Sequence, residues 1–395
     1  MIAATAFSHA AFAQDGGSYE AKGLPMGAFT AFPKVTATVE HNDNIYAQAK
    51  NEVDDVIWRV QPEVTISSDW SRHSLSAFAK ASFNRNKDFK NENSDEYSLG
   101  ADGRIDVLRT TRLFGGANLT NATEPRTSPN AVGAATEPTE YDVTNAYVGG
   151  EHEFNRLMVS SRLDYGKFDY QDVRALAGPV LDQDYRDHEV TALMGRADYS
   201  ISPDTSLFVE IAGNQRKYDR VRPAVALTRD SDGVTVLAGA KFDLTAVAKG
   251  EVSAGYMTQS FDDVTQDDVK GLAVRTSVQW FPTRLTTVTF LAARGIQDSA
   301  VPNAAALVAE SVDLRIDHDL LRNVRLTGEA GYGRDDYKDI SRRDRRVTAG
   351  AGVTYLLNRN IGLSLAYKYL DREIERGVGV PYKVNKVQAG LTLQF

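Results

Sequence analysis

The sequence predicts an all-β chain closed into a transmembrane, antiparallel, up-and-down β-barrel of about eighteen strands, with short periplasmic turns and long extracellular loops. Three observations carry this. Segments of about ten residues alternate apolar and polar with period two, and the connections between them alternate short and long. The final segment, Val387-Gln388-Ala389-Gly390-Leu391-Thr392-Leu393-Gln394-Phe395, alternates without a break to a terminal aromatic. A strand with one apolar face needs a cover, and a strand that ends the chain has no following element to supply it. Lipid is the cover that remains.

The 395 residues show no composition shift or Pro/Gly/Ser tract that would divide them into soluble domains, so one large closed unit is the simpler reading. Hydrophobic residues make up 42% of the chain and mean hydropathy is −0.36, with no apolar run long enough for a membrane helix. A barrel escapes that requirement because only alternate residues meet lipid while backbone groups pair between strands. The absence of cysteine fits an exported chain stabilised by closure.

Taken in order, residues 1–13 are small and apolar and end in Ala11-Phe12-Ala13, a small-x-small pattern before Gln14 that signal peptidase accepts. No basic leader precedes it, which reads as a truncated or internal start; a disordered Ala-rich tail is the alternative. Residues 14–33 are Gly-rich and patternless, an N-terminal extension expected in the periplasm, and the barrel is expected over 34–395. Its apolar rows include Val56/Trp58/Val60/Pro62/Val64/Ile66, Leu75/Ala77/Ala79/Ala81/Phe83 and Ile361/Leu363/Leu365/Tyr367/Tyr369. Two strands, near 141–152 and 188–199, have ambiguous phase, so the strand count is uncertain by two. Tight turns fall at 69–72, 108–110, 154–156, 202–205, 281–284, 319–323 and 357–360. Long polar stretches fall between them at 85–96, 121–140, 167–187, 215–232, 261–270, 295–309, 333–345 and 371–381. A soluble β-sandwich has no reason for that strict alternation.

Aromatic residues cluster at strand ends, as Trp58, Trp70, Trp280, Tyr332, Tyr355, Tyr369 and Phe395, where the two membrane interfaces are expected; ordinary core packing is the alternative. The rows opposite the apolar ones carry Arg59, Glu63, Lys80, Asp102, Arg104, Asp106, Arg162, Asp164, Glu210, Lys241, Arg275, Asp313, Arg315, Arg325 and Glu329. A dry interior would not tolerate so many ions, so a water-filled lumen is expected, with many of the charges paired across strands.

Net charge is −8, concentrated in loops. Asp262, Asp263, Asp267 and Asp268 are weak candidates for Ca²⁺, since their spacing departs from that of a calcium loop; a solvated loop is the default. Arg342-Arg343-Asp344-Arg345-Arg346 is a candidate contact for lipopolysaccharide phosphates. No catalytic residue is assigned: His41, His73, His152, His188 and His318 lie at strand ends, and none stands in a Gly-x-Ser-x-Gly context. Gly350-Ala351-Gly352 lacks the third glycine and helix of a dinucleotide site. Neither a Cys/His metal cluster nor a nucleic-acid surface is read, and no cofactor is expected.

Several short turn signatures resemble a family of outer-membrane β-barrel porins. They are Asn42-Asp43-Asn44-Ile45-Tyr46, Val60-Gln61-Pro62-Glu63-Val64 followed by Ser68-Asp69-Trp70-Ser71-Arg72-His73, Phe154-Asn155-Arg156-Leu157, and Tyr355-Leu356-Leu357-Asn358-Arg359-Asn360 leading into Tyr367-Lys368-Tyr369. The resemblance implies location in the outer membrane of a Gram-negative bacterium, barrel architecture, and a link to exopolysaccharide or capsule export. A channel passing a polysaccharide through a charged aqueous lumen is the first expectation. A general diffusion porin for small solutes and a non-conducting surface anchor or assembly partner are the alternatives, with an enzyme a distant fourth. Expected partners are outer-membrane lipid and lipopolysaccharide, a polysaccharide, a periplasmic export component, and the barrel-assembly machinery acting on the C-terminal strand. Whether the lumen is open or plugged is left undecided by the sequence.

Overall fold

The alternating runs become strands of 13 to 16 residues, longer than the 9–11 or so that a tilted strand needs to cross a bilayer. The computed structural model describes residues 19–133, 135–176, 178–221, 228–244, 247–301, 303–304 and 306–395. The signal-like segment 1–13 lies outside these. In chain order the strands are β1 (Leu24–Met26), β2 (Phe29–Asn42), β3 (Asp55–Ser68), β4 (Ser74–Asn86), β5 (Ser94–Asp106), β6 (Thr111–Thr123), β7 (Glu140–Phe154), β8 (Leu157–Tyr170), the two-residue β9 (Val173–Arg174) and β10 (Val180–Leu181), β11 (His188–Ser202), β12 (Thr205–Tyr218), β13 (Ser231–Leu244), β14 (Ala248–Phe261), β15 (Val269–Thr283), β16 (Thr286–Asp298), β17 (Ala306–Leu321), β18 (Val324–Tyr337), β19 (Arg343–Leu356), β20 (Ile361–Arg376) and β21 (Tyr382–Gln394).

Each long strand pairs antiparallel with its chain neighbours, β8 with β11, and β21 returns to β2 from Lys34↔Gln394 to Asn42↔Lys386. Among the described residues this makes a closed ring of eighteen long strands, with both chain ends on the short-turn rim. Closure leaves no long edge for another chain to extend. The tightest turns hold two residues, as at Asn155-Arg156 between Phe154↔Leu157; Asn155 takes φ 58° there, a left-handed value asparagine tolerates.

The first strand begins earlier than expected. Phe29–Pro33, read as part of the extension, already pair with Val64–Ser68, because Phe29, Ala31 and Pro33 continue the outward row of Val35, Ala37 and Val39. On their other side β21 has run out, and β1 folds back through Gly27 to pair Leu24↔Ala31. The Phe395 N–H closes the seam on the Pro33 carbonyl at 3.2 Å.

Register carries the two faces consistently around the ring. Trp58 lies opposite Val39, and Arg59 opposite Thr38 and Asn84. The apolar rows are the exposed outer wall, with Leu193 at 58% and Ile211 at 54%. The concave face is identified by ion pairs that skip strands. Arg196 on β11 reaches Glu251 on β14, and Arg275 on β15 reaches Glu210 on β12; such reach exists only across the inside of a curve. The two strands of ambiguous phase are settled by the same register, with Val148 and Leu193 outward and Tyr147, His188 and Arg196 inward. We expect Leu193→Arg, on the lipid face at mid-strand, to lower stability in bilayers by about 2–4 kcal/mol. Ala192→Arg, facing inward opposite Asp164, should cost far less; equal losses by denaturant titration would mean the faces are reversed.

Candidate functional site: a charged lumen and a hairpin folded into it

The charged residues read on the rows opposite the apolar ones all fall on the concave face by register. Arg104 pairs with Asp106 at 3.0 Å, Arg162 with Asp164 at 2.6 Å, Arg275 with Glu210 at 2.8 Å, and Arg325 with Asp319 at 2.8 Å. Arg315 holds both Asp317 (2.8 Å) and Glu329 (2.7 Å). Glu63 takes Lys34 at 2.8 Å, and Arg59 donates to Asn84 at 2.6 Å. Lys80, Asp102, Lys241 and Asp313 are exposed and form no ion pair among the described residues. The wall is thus a lattice of opposite charges with a few open ions, Lys80 and Asp313 at mid-strand and Asp102 and Lys241 nearer the short-turn rim.

A largely buried part of this lattice centres on Arg196, which the sequence reading passed over. Its guanidinium bonds Asp198 and Glu251, each at 2.8 Å, lies 3.6 Å from Glu210, and stacks over Phe208 at 3.6 Å from the ring centre. A usable signal exists: Arg-x-Asp, repeated at Arg104/Asp106, Arg162/Asp164, Arg196/Asp198 and Arg315/Asp317, puts both charges on one strand face.

One hairpin parts from its neighbour on one side, while on the other β17 stays paired to β18 up to Leu307↔Tyr337. Pairing of β15 with β16 stops at Val274↔Arg294, whereas β14 stays paired to β15 up to Gln259↔Val269 and β16 to β17 up to Asp298↔Ala306. The tip is buried on both faces, with Ala306, Leu307 and Val308 at 3% exposure or less. Ala306, Val308 and Ile296 pack on Leu237, Met257, Val269 and Ala273 of the inner wall of β13–β15. Leu307 and Ala309 pack instead with Tyr337 and Ile340. The upper half of β16–β17 therefore lies inside the lumen. Residues 295–309, expected as a long polar loop, are mostly strand; the run Ala306-Leu307-Val308-Ala309 does not alternate because both its faces are covered.

Other connections cover the mouth. The Tyr382 hydroxyl donates to the Thr127 carbonyl at 2.8 Å, and the Ala300 N–H to Asn130 at 3.0 Å, so the β6–β7 connection touches the wall at β21 and the β16–β17 tip. Arg126 pairs with Glu92 at 2.6 Å. Arg186 bonds Glu124 twice at 3.0 Å and stacks on Tyr170, which in turn stacks on Tyr141. Beside it, burial pushes the Asp187 carboxyl up to about 6, against the pull of the Tyr170 N–H at 2.7 Å, with Asp169, Asp184 and Asp219 adding to the rise. A raised acid favours the docked loop when protonated, so this contribution is complete below the ordinary carboxylate range and is lost as pH rises through about 6. A nitroxide at Leu176→Cys should accordingly be more mobile at pH 7.5 than at pH 4.5, and Asp187→Asn should remove the difference; a difference that persists in that variant would rule Asp187 out.

The aromatics expected at the membrane interfaces divide between the rims. Trp58, Tyr332 and Tyr369 lie toward the long connections, and Trp280, Tyr355 and Phe395 at the short turns, where Trp70 packs edge-on against Phe29 at 5.4 Å. The four loop aspartates do not converge: Asp263 caps Thr265, whose hydroxyl and N–H hold its carboxyl below the ordinary range, and Asp268 pairs with Lys270 at 3.2 Å. The carboxylates that do approach one another, Asp172, Asp182 and Asp184, are exposed or half-buried, and Arg220 takes Asp184 at 2.7 Å. Half of the basic segment turns inward, Arg342 and Arg372 onto buried Asp344 and Arg346 onto Asp335, leaving Arg343 and Arg345 outside. His152 and His318 bond Thr111 and Thr286 on the outer face, and His73 accepts the Asp106 N–H.

Among solved structures, the siderophore receptor PiuA from Acinetobacter baumannii is similar at 10% identity and TM-score 0.49, over 95% of this chain and 82% of that one. OpdO from Pseudomonas aeruginosa is similar at 14% identity and TM-score 0.45, over 93% and 97%. OpdK from the same organism, solved with vanillate, is similar at 11% identity and TM-score 0.44, over 92% and 99%. No curated protein matches the chain. Residues 17–395 match the family described as putative beta-barrel porin 2, and the chain, a closed eighteen-strand porin-like barrel, belongs to that family.

Proposed function

We propose that the protein is a passive channel in the outer membrane of a Gram-negative bacterium, admitting small polar and ionic solutes without a covalent step or a cofactor. The observation that carries this is the β16–β17 hairpin folded into a lumen walled by opposite charges. A mixed-sign wall gives a polar solute weak contacts at many places, and an inserted hairpin limits what enters. Passage of a polysaccharide is the second reading. The exposed cations Lys80, Arg104, Lys241 and Arg325 favour it by offering contacts to sugar acids, but a polymer requires the hairpin and the β6–β7 connection to move aside.

Planar-bilayer recording separates these. The first reading expects ohmic current that small anions carry and that long anionic sugar oligomers leave unblocked; blockade by those oligomers favours the second, and absence of current leaves an anchor. Arg104→Glu combined with Arg315→Glu should shift ion selectivity toward cations. Unchanged selectivity would place both outside the conducting path.

A further inference from the structure

The hairpin tip is held by groups whose chemistry is that of an anion receptor. The Asp298 carboxylate bonds the Arg216 guanidinium and lies 3.8 Å from His188 Nε2. The next residue, Ser299, presents its carbonyl to Arg229 at 2.8 Å. His188 is stacked between Phe168 (4.6 Å) and Tyr218 (4.8 Å), and Arg229 lies over Tyr218 at 4.2 Å. Arg216, Arg229 and His188 are each less than a tenth exposed. Two guanidiniums and an imidazole, fixed on an aromatic stack of the wall, thus converge on the end of a hairpin that brings one carboxylate.

The wall that the hairpin vacated is unfinished. Beyond Val274↔Arg294 the β15 edge loses its partner, and the Arg294 guanidinium bonds the Leu272 carbonyl there. Continued in the same register, Gly271 would face Gln297 and Lys270 would face Asp298. A hairpin pivoting at Arg294, carrying with it the end of β18 that stays paired to it through Leu307↔Tyr337, would complete that ladder, its tip travelling on the order of 15 Å for about five residues of strand.

We infer that Arg216, Arg229 and His188 form a carboxylate-binding site of the lumen, occupied by Asp298 in this structure, and that a small carboxylate solute taking its place releases the hairpin to pair with β15. The inference deepens the channel reading and rests on it for its purpose, but site and motion are measurable without current. Because the chain has no cysteine, nitroxides can be placed at Gln297→Cys on the hairpin and Lys217→Cys on β12, both exposed, in barrels whose closure is checked by heat-dependent gel mobility. Pulsed dipolar spectroscopy should give one short distance in the otherwise native chain. Asp298→Ala should add a population longer by roughly the 15 Å swing. Sodium citrate should add the same population to the native chain where equimolar glucose does not, and should change nothing in an Arg216→Ala/Arg229→Ala variant. No citrate-driven population, or an equal response in that variant, overturns the site. A citrate response in a barrel that carries no current would defeat the channel reading and leave the site standing.

Discussion

Replacing residues 296–308 with a two-residue Asn-Gly turn should raise single-channel conductance severalfold while the barrel still folds. Gly295 and Ala309 are direct cross-strand partners, so a tight turn can join them with the twist that flanking antiparallel strands require. The wall below is untouched, since β15–β16 pairing ends at Val274↔Arg294. The excision gives up the pairs of Leu307 and Val308 with β18 and removes the side chains of Ile296, Ala306 and Val308 that fill space over the inner face of β13–β15. Their loss uncovers Leu237, Met257 and Val269, each worth at most about 1.5–3 kcal/mol if fully wetted, which a ring of eighteen strands should survive. Unaltered conductance from a correctly closed barrel would show that the hairpin does not constrict the path.

Arg196→Ala should lower stability by about 3–5 kcal/mol. The side chain is 14% exposed and the carboxylates of Asp198 and Glu210 are 4% exposed. Arg275 still holds Glu210 in the variant, but among the described residues Asp198 has its ion pair from Arg196 alone. A buried carboxylate left without its cation costs more than the pair ever contributed, because desolvation is no longer offset. Arg196→Lys should recover only part, since one ammonium cannot serve Asp198 and Glu251 together as the planar fork does. Arg325→Ala is the control. Its pair with Asp319 is half-exposed at 52% and 38%, and about 0–1 kcal/mol is expected. Denaturant midpoints in lipid should rank the three accordingly, and an Arg196→Ala barrel as stable as Arg325→Ala would refute the network.

The outer wall was legible because lipid imposes a strict period of two wherever a strand meets it. The charged inner face was legible for the same reason wherever water lies opposite. Both fail at one place. On β11 the inward row reads His188, Val190, Ala192, Met194 before it reaches Arg196, while the outward row opens on Glu189 and Thr191, so near the mouth the inward face is the more apolar and the phase blurs. On β7 the inward Tyr141, Val143 and Tyr147 do the same. Ambiguity in phase therefore marked the segments where the lumen is filled by protein. The inserted hairpin was hidden similarly, its unbroken apolar run lacking the alternation that identifies a strand. The loop locks could not be read at all, because Glu124 and Arg186, or Asn130 and Ala300, meet through closure of the whole ring and leave no local pattern.

A lipid-facing barrel with a wet interior requires β20 to separate lipid from water residue by residue. Single cysteines at Leu363, Ser364, Leu365, Ala366, Tyr367 and Lys368 in liposome-embedded protein should alternate without exception. Positions 364, 366 and 368 should react with a membrane-impermeant thiol reagent, and positions 363, 365 and 367 should be shielded from it but quenched by lipid-borne nitroxide. Uniform reactivity along the strand, or protection of the even positions with exposure of the odd, would contradict a lipid-facing barrel with a wet charged interior.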